Sequence, residues 1–208
     1  PLVTGVQTCA LPICSSHAAA FCSAEELLAA GDIGRCELVA GRLVMMSPAG
    51  FEHGLIVQRI AAAIQTHVEP RRLGVVVAAE TGFLLRRAPD TVRAADVAFV
   101  RMDRLAETNR CPTGFFEGAP DVAIEVLSPS DVRDRAAVQR TQAKVAEWLA
   151  AGAIEVWTVD PGRREVTVHG AGRNTEPTTF NASDTLRSAA LPEFSLRLPA
   201  IFRRPQDA

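Results

Sequence analysis

The chain has 208 residues, of which 48% are hydrophobic, and a formal net charge of -2 at pH 7, so it is able to bury one full core. No run approaches the roughly 18 consecutive apolar residues of a membrane span, and no Lys- or Arg-rich tract indicates a nucleic-acid-binding tail. With this balance of charge, any binding of phosphate groups has to come from a local basic patch.

The cysteines indicate a reduced, cytoplasmic protein. Their number, 5, is odd and no CxxC pair occurs among them, so the sequence supports neither a zinc site nor a disulfide framework. We expect them to act as small apolar residues.

The first 20 residues differ from the rest of the chain. PLVTGVQTCALPIC shows no helical or strand period and lacks the basic start of a secretory signal. It resembles translated sequencing adapter. We therefore expect residues 1–20 to be a non-native or disordered leader, and residues 21–208 to form a single domain.

A short helix, a hairpin and a long helix are predicted first along the chain. Ser23 and Glu26 have the spacing of a capping box. Alternating apolar residues on both sides of Ala40-Gly41 predict a β-hairpin. Apolar residues at helical spacing predict a core-facing helix over 53–68, which ends before a proline.

The second half of the chain reads as strands around one further helix. Strands are predicted at residues 74–85, 91–100, 121–128, 154–161 and 165–170. A helix over 133–151 joins two of them, so the unit 121–160 should form a right-handed crossover with parallel strands. The polar stretch 101–120 reads as a long connection, and the apolar C-terminal tail is expected to pack along the body. This order predicts an α/β fold with a mixed β-sheet flanked by helices and an N-terminal β-hairpin.

Two of the predicted strands each carry one carboxylate in an apolar setting. Because side chains alternate along a strand, Glu125 and Asp96 each point to a face whose other residues are apolar. A buried, unpaired carboxylate is costly, and two close together resist joint ionisation. A divalent cation such as Mg²⁺ would compensate, since it is commonly held by one or two carboxylates. Shared protonation or an arginine partner such as Arg93 would compensate without any catalytic function.

An Asp in one strand and a Glu in the next is the metal-binding half of the PD-(D/E)XK nuclease site. That site usually has a lysine two residues after the Glu, where this chain has Leu127. Lys144 is a replacement, because it lies on the border of the buried stripe of the predicted helix, four residues before Trp148. Its long stem is able to run along the sheet and bring the ammonium to the carboxylates. The alternative is a lysine that simply extends into solvent.

Four segments carry a resemblance to a known family: CELVAGRLVMMSPAGFEHG, DTVRAADVAFV, APDVAIEVLSPSD and KVAEWLAAGAIEVWTVDP. Together they resemble the Uma-two family, the restriction endonuclease-like branch of the PD-(D/E)XK superfamily, over about residues 23 to 202. The resemblance implies a restriction-endonuclease-like core with Asp96, Glu125 and Lys144 as catalytic residues. It also implies that Glu37 of the first hairpin makes a third acidic contact to the metal or to its water.

The function implied by the resemblance is metal-assisted hydrolysis of phosphodiester bonds in nucleic acid, with DNA favoured. Asp96 and Glu125 would hold Mg²⁺ or Mn²⁺, which lowers the pKa of a bound water, and Lys144 would orient that water. Cutting both strands of a duplex would suit a two-fold homodimer. The alternative is a catalytically silent module of the same fold that binds nucleic acid or protein, which the leucine at position 127 and the lack of net positive charge favour.

His53 and Arg140 are candidate substrate-binding residues. His53, near the start of the long helix, is placed to meet a phosphate in front of the helix N-terminus, with a capping or packing role as the alternative. Arg140 lies near Lys144 with Arg133 and Arg135, and this basic group is a candidate for contact with a nucleic-acid backbone. Three nearby carboxylates almost balance it, so a solvated helix face is the alternative.

Overall fold

The computed structural model of the chain describes residues 22–78, 80–107, 112–170, 176–204 and 206. The predicted leader, residues 1–20, lies outside these residues, as do Cys9, Cys14 and Cys111. No helix in the described ranges is both long and apolar enough to cross a membrane.

The described residues form five helices, with runs of two to five strands between them. The helices are α1 (Ala24–Ala29), α2 (Phe51–Val68), α3 (Met102–Glu107), α4 (Arg135–Ala150) and α5 (Leu198–Phe202). The strands are β1 (Cys36–Val39), β2 (Arg42–Met45), β3 (Gly74–Ala78), β4 (Gly82–Arg86), β5 (Thr91–Ala94), β6 (Val97–Arg101), β7 (Phe116–Glu117), β8 (Val122–Val126), β9 (Glu155–Asp160), β10 (Glu165–Gly170), β11 (Thr178–Asn181), β12 (Thr185–Arg187) and β13 (Ser195–Arg197).

The strands form two mixed sheets and a two-stranded ribbon of β12 and β13. The larger sheet has the order β11-β10-β9-β8-β6-β3, and the smaller sheet has the order β2-β1-β5-β4-β7. Strands β8 and β9 run parallel on either side of α4 in sequence, as predicted for the crossover unit. Strands β1 and β2 form the predicted hairpin. The predicted α/β fold, with a mixed sheet flanked by helices and an N-terminal hairpin, is therefore confirmed, and the structure divides the predicted sheet into two mixed sheets.

The two faces of the larger sheet are covered by different parts of the chain. Helix α2 and the C-terminal tail pack on one face, where Val122, Ile124 and Val126 of β8 lie. Helix α4 and the smaller sheet pack on the other face, where Ala123 lies. The predicted alternation of β8 and the predicted packing of the tail are both confirmed. The face that carries Ala123 is the one that leads to Glu125.

Helix α2 is fixed to the sheet by one apolar stripe. Ile56, Ile60, Ile64 and Val68 stand four residues apart and are at most 2% exposed. Four residues are close to one helical turn, so these side chains share a face, and burying each contributes roughly 1.5 to 3 kcal/mol. The helix begins at Phe51, two residues before the predicted start, and ends before Pro70 as predicted.

The predicted strands over 74–85 and 91–100 are wrong in one respect, because each is split between the two sheets. The first becomes β3 and β4, and the chain turns at Glu80, whose φ is 67°. The second becomes β5 and β6, which are separated by residues 95–96. Strands β4 and β5 pair in the smaller sheet, while β3 and β6 pair in the larger one. In both stretches the residues before and after the change of sheet are apolar, so the composition does not reveal where the strand is divided.

The predicted connection over 101–120 also contains regular structure, which the sequence prediction missed. Helix α3 follows β6 directly, and Arg104 of α3 pairs with the buried carboxylate of Asp121 at 3.4 Å. Strand β7 pairs in parallel with β4, and Phe116 packs against Phe83 with ring centroids 5.7 Å apart. Both elements depend on tertiary partners, and a two-residue strand has no periodicity to detect.

Candidate active site

An open cleft of about 670 Å³ is lined by β1, β2, the start of α2, β8 and α4. All the residues that the sequence singled out as catalytic, metal-binding or substrate-binding line this cleft: Glu37, His53, Asp96, Glu125, Arg140 and Lys144. The fold therefore brings together side chains from five separate parts of the chain.

Glu125 lies on the cleft face of β8 and is 8% exposed. The indole Nε1 of Trp148 donates to its Oε1 at 2.9 Å, and Nζ of Lys144 donates to its Oε2 at 2.8 Å. Lys144 and Trp148 are four residues apart on α4 and therefore share a helix face. Helix α4 thus supplies both donors to this buried carboxylate. Sequence reasoning placed Trp148 only in the packing stripe, although its spacing from Lys144 was a signal of the shared role.

The ammonium of Lys144 is held by three oxygen acceptors. Besides Glu125 it contacts Oε1 of Glu37 at 2.9 Å and the backbone oxygen of Ala94 at 3.2 Å. Burial disfavours its charged form, but Glu125 and Glu37 outweigh burial and raise the pKa of Lys144. Lys144 therefore carries a positive charge inside the cleft, on the border between the smaller sheet and β8.

Glu37 of β1 is the second carboxylate at Lys144, and it is 4% exposed. Its Oε2 accepts from Nη1 of Arg93 at 2.7 Å, and its Oε1 accepts from the backbone N of Ala94 at 3.1 Å. Burial opposes ionisation, but Lys144 and Arg93 lower the pKa of Glu37 below its usual value. Arg93 also pairs with Glu147 at 2.7 Å. Arg93, considered from sequence as a partner for the strand carboxylates, is thus placed beside Glu37 and Glu147.

Asp96 lies where the chain passes from β5 in one sheet to β6 in the other. Its Oδ2 accepts from the backbone N of Val126 at 2.8 Å and lies 3.2 Å from Nε2 of His53. The hydrogen bond to Asp96 raises the pKa of His53, although burial opposes this shift. His53 therefore orients Asp96, a contact that sequence reasoning missed because the two residues are far apart in the chain.

The pKa of Glu125 is set by its burial and by the charged groups around it. Burial is the largest cause that raises the pKa of Glu125, to about 7; Lys144 opposes this rise, and the charges of Asp96 and Glu37 add to it. The carboxyl of Glu125 therefore takes up a proton at a higher pH than an exposed glutamate does.

The carboxylates of the cleft meet only part of the coordination needs of a divalent cation. Within the described ranges, no three or more His, Cys, Asp or Glu side chains are arranged to hold a metal ion. Asp96 and Glu125 nevertheless line one open cleft, and Mg²⁺ is often held by one or two carboxylates with water and phosphate as its other ligands. The arrangement fits a cation that is completed by water and substrate, and it does not form a closed protein cage.

Arg140 lies at the exposed mouth of the cleft, on α4. The predicted basic group around it is smaller than the sequence suggested, since Arg133 pairs with Asp134 at 3.1 Å. Asp134 is also the N-cap of α4 and accepts from the backbone N of Ala137 at 2.9 Å. This cap explains why the helix begins at Arg135 and not at the predicted residue 133.

Comparison with known proteins identifies the family of the chain. The family model of Uma2, described as "Putative restriction endonuclease", matches residues 23–199. The chain belongs to the Uma2 family. The resemblance found in the sequence is therefore confirmed, and the Uma2 match spans every cleft residue discussed above.

The fold of this Uma2 chain is also found in a solved structure. A crystal structure from Anabaena variabilis ATCC 29413, described as "a putative nuclease belonging to DUF820", matches with a TM-score of 0.71 and 20% sequence identity. The match covers 86% of this chain and 97% of the other. At this identity the likeness shows the fold alone. No protein of curated function matches the sequence.

Proposed function

We propose that the chain is a metal-dependent endonuclease that hydrolyses phosphodiester bonds in nucleic acid, with DNA as the favoured substrate. The observation that carries the proposal is the contact of Lys144 with Glu125 in a cleft that also contains Asp96. Two carboxylates and one ammonium from separate elements line the same cleft, and the description of the Uma2 family is "Putative restriction endonuclease". The preference for DNA rests on that description.

The carboxylates of Asp96 and Glu125 are the proposed metal ligands. When bound, Mg²⁺ or Mn²⁺ supplies a Lewis acid that polarises the phosphate and lowers the pKa of a water. His53 and the backbone N of Val126 both contact Oδ2 of Asp96, so they fix the direction of this carboxylate. Trp148 does the same for Glu125 through Oε1.

Lys144 is the proposed catalytic cation. Its ammonium lies 2.8 Å from Glu125, so its charge is placed to offset the charge that grows on the phosphate oxygens. To orient a water, it would exchange one of its three hydrogen bonds for that water. Glu37, itself held by Arg93, keeps Lys144 in this position. Arg140, at the mouth, is proposed to contact a backbone phosphate of the substrate. Cleavage of both strands of a duplex would further require two copies related by a two-fold axis.

The competing function is a catalytically silent module that binds nucleic acid or protein. One specific observation favours it. Lys144 and Trp148 already provide a partner for each oxygen of Glu125, so its burial is explained without a metal. The two functions differ in whether a metal in the cleft promotes cleavage of a bound nucleic acid.

Cleavage of DNA by the wild type beside Asp96→Asn tests the proposal. Supercoiled plasmid is incubated with each protein in Mg²⁺, in Mn²⁺ and in EDTA, and the nicked and linear products are separated on a gel. We expect products only with wild type and metal. Asparagine retains an oxygen that accepts from Val126, so the variant should fold. Equal nicking by both proteins would point to a contaminating nuclease, and DNA binding without cleavage by the wild type would support the silent module.

A further inference from the structure

A second cavity lies beside the active-site cleft. It is a groove of about 310 Å³ formed by the start of α2 and the end of α5, and we call it the α2–α5 groove. The residues that line it include Phe51, Ile56, Arg59, Ile201, Arg203 and Arg204. Nothing proposed above uses any of them.

Phe51 is the most unusual residue of the α2–α5 groove. Its side chain is 85% exposed, more than any other large hydrophobic side chain in the described part of the chain. An isolated exposed hydrophobic residue is ordinary. Phe51, however, adjoins the groove's apolar floor, where Ile56 and Ile201 are almost fully buried. It also follows directly after Gly50, which lines the active-site cleft. An exposed ring therefore stands where the cleft and the groove meet.

The rim of the α2–α5 groove is positively charged. Among the described residues that line it, three are arginines, Arg59, Arg203 and Arg204, and one is acidic, Glu52. The guanidinium of Arg59 donates to the backbone oxygens of Ile201, at 3.0 Å, and of Arg203, so its charge is held at the groove. The chain as a whole has a net charge of -2. The groove is thus a local basic patch of the kind that a near-neutral chain needs in order to bind phosphate groups.

We infer that the α2–α5 groove binds one unpaired nucleotide of the nucleic-acid strand whose scissile phosphate lies in the active-site cleft. The base stacks on Phe51, and the phosphates beside it lie near the three arginines. This inference rests on the proposed function, since it assumes that the cleft accepts nucleic acid. The groove's volume is at the small end of ligand pockets, which range over about 300 to 1,000 Å³, so it suits one nucleotide and not a duplex. Stacking on an aromatic side chain tolerates any base, so the groove adds affinity without sequence preference.

Binding of a fluorescent single-stranded oligonucleotide, followed by anisotropy in EDTA to prevent cleavage, tests this inference. We expect Phe51→Ala to weaken binding by about 10- to 100-fold, the range typical of losing one base stack. We expect Arg203→Gln to lower affinity and to reduce the slope of log affinity against log salt by about 0.7, the value for one contact to a single strand. Leu28→Ala and Arg163→Gln are matched controls, since Leu28 is 51% exposed and Arg163 is exposed on the turn after β9. Neither control lines the groove, and both should bind as the wild type does.

The outcomes separate this inference from the proposed function. If wild type cleaves DNA but Phe51→Ala and Arg203→Gln both bind like the controls, the groove is not a nucleotide site and the proposed function stands. If wild type binds the oligonucleotide through Phe51 yet does not cleave, the groove stands and the catalytic proposal fails. Absence of oligonucleotide binding by the wild type overturns this inference, whereas the proposed function is decided by plasmid cleavage in the presence of metal. If Phe51→Ala instead converts a dimer to a monomer in sedimentation without changing affinity, the groove is an interface between copies, and the inference is overturned.

Discussion

Lys144→Met is expected to reduce the rate of DNA cleavage by about 100- to 1,000-fold, the usual cost of removing one group that stabilises the transition state. Methionine retains an unbranched stem along the sheet and removes only the charge that lies 2.8 Å from Glu125. Single-turnover rates on a plasmid substrate measure the effect directly. Lys144→Arg, which restores a positive charge, should recover part of the rate, whereas Arg163→Met, a charge loss on an exposed turn, should leave it unchanged.

The same substitution of Lys144 should also affect stability, and this effect has to be separated from catalysis. It leaves Glu37 and Glu125 without their shared cation, and removing one partner of a buried ion pair costs about 3 to 5 kcal/mol. Urea unfolding at pH 8 measures this loss. If the variant is fully folded under the assay conditions and still cleaves DNA at the wild-type rate, Lys144 is only a structural counter-ion and its proposed catalytic role is wrong.

Glu125→Gln is expected to change how stability depends on pH. In the wild type without metal, burial raises the pKa of Glu125 from 4.5 to about 7. Between these two values the folded state holds more protons than the unfolded state, so the free energy of unfolding falls as pH rises through this window. With about 1.4 kcal/mol for each pKa unit, the fall attributable to Glu125 is on the order of 3 kcal/mol. Glutamine does not titrate, so the variant should lack this fall.

Urea unfolding of both proteins in EDTA at several pH values between 4.5 and 8 gives the comparison. The raised pKa of His53 contributes a change in the same direction above pH 6.5, but His53 is present in both proteins. The difference between the two curves therefore isolates Glu125. Parallel curves over the whole window would show that folding does not raise the pKa of Glu125.

The parts of the site that the sequence could predict are those governed by local periodicity. Alternation along β8 placed Glu125 on a different face from Ile124, and helical spacing placed Lys144 near the face of α4 that meets the sheet. The roles of Trp148 and Arg93 could not be predicted in this way, because each depends on which strand lies opposite. Trp148 reaches Glu125 from a different element, and Arg93 of β5 reaches Glu37 on the neighbouring strand β1 of the smaller sheet.

The position of Asp96 could not be predicted from the sequence either, because it depends on a change of sheet. Residues 91–100 read as one strand because apolar residues continue through the change of sheet, and only the tertiary structure shows that β5 and β6 separate there. Asp96 therefore leaves the regular alternation, and its direction is set by His53 and by the backbone of Val126. Contacts between distant segments of this kind leave no pattern in a single sequence.

Calorimetric titration of Mn²⁺ and Mg²⁺ at pH 8 into wild type and Glu125→Gln is the most direct test of the proposed active site. It needs no knowledge of the substrate, and at this pH Glu125 is above its pKa of about 7. We expect one ion to bind to the wild type and none to bind to the variant, which would place the metal at the paired carboxylates. Equal binding to both proteins would contradict this, because the metal would then lie elsewhere and Glu125 would serve only as the partner of Lys144 and Trp148.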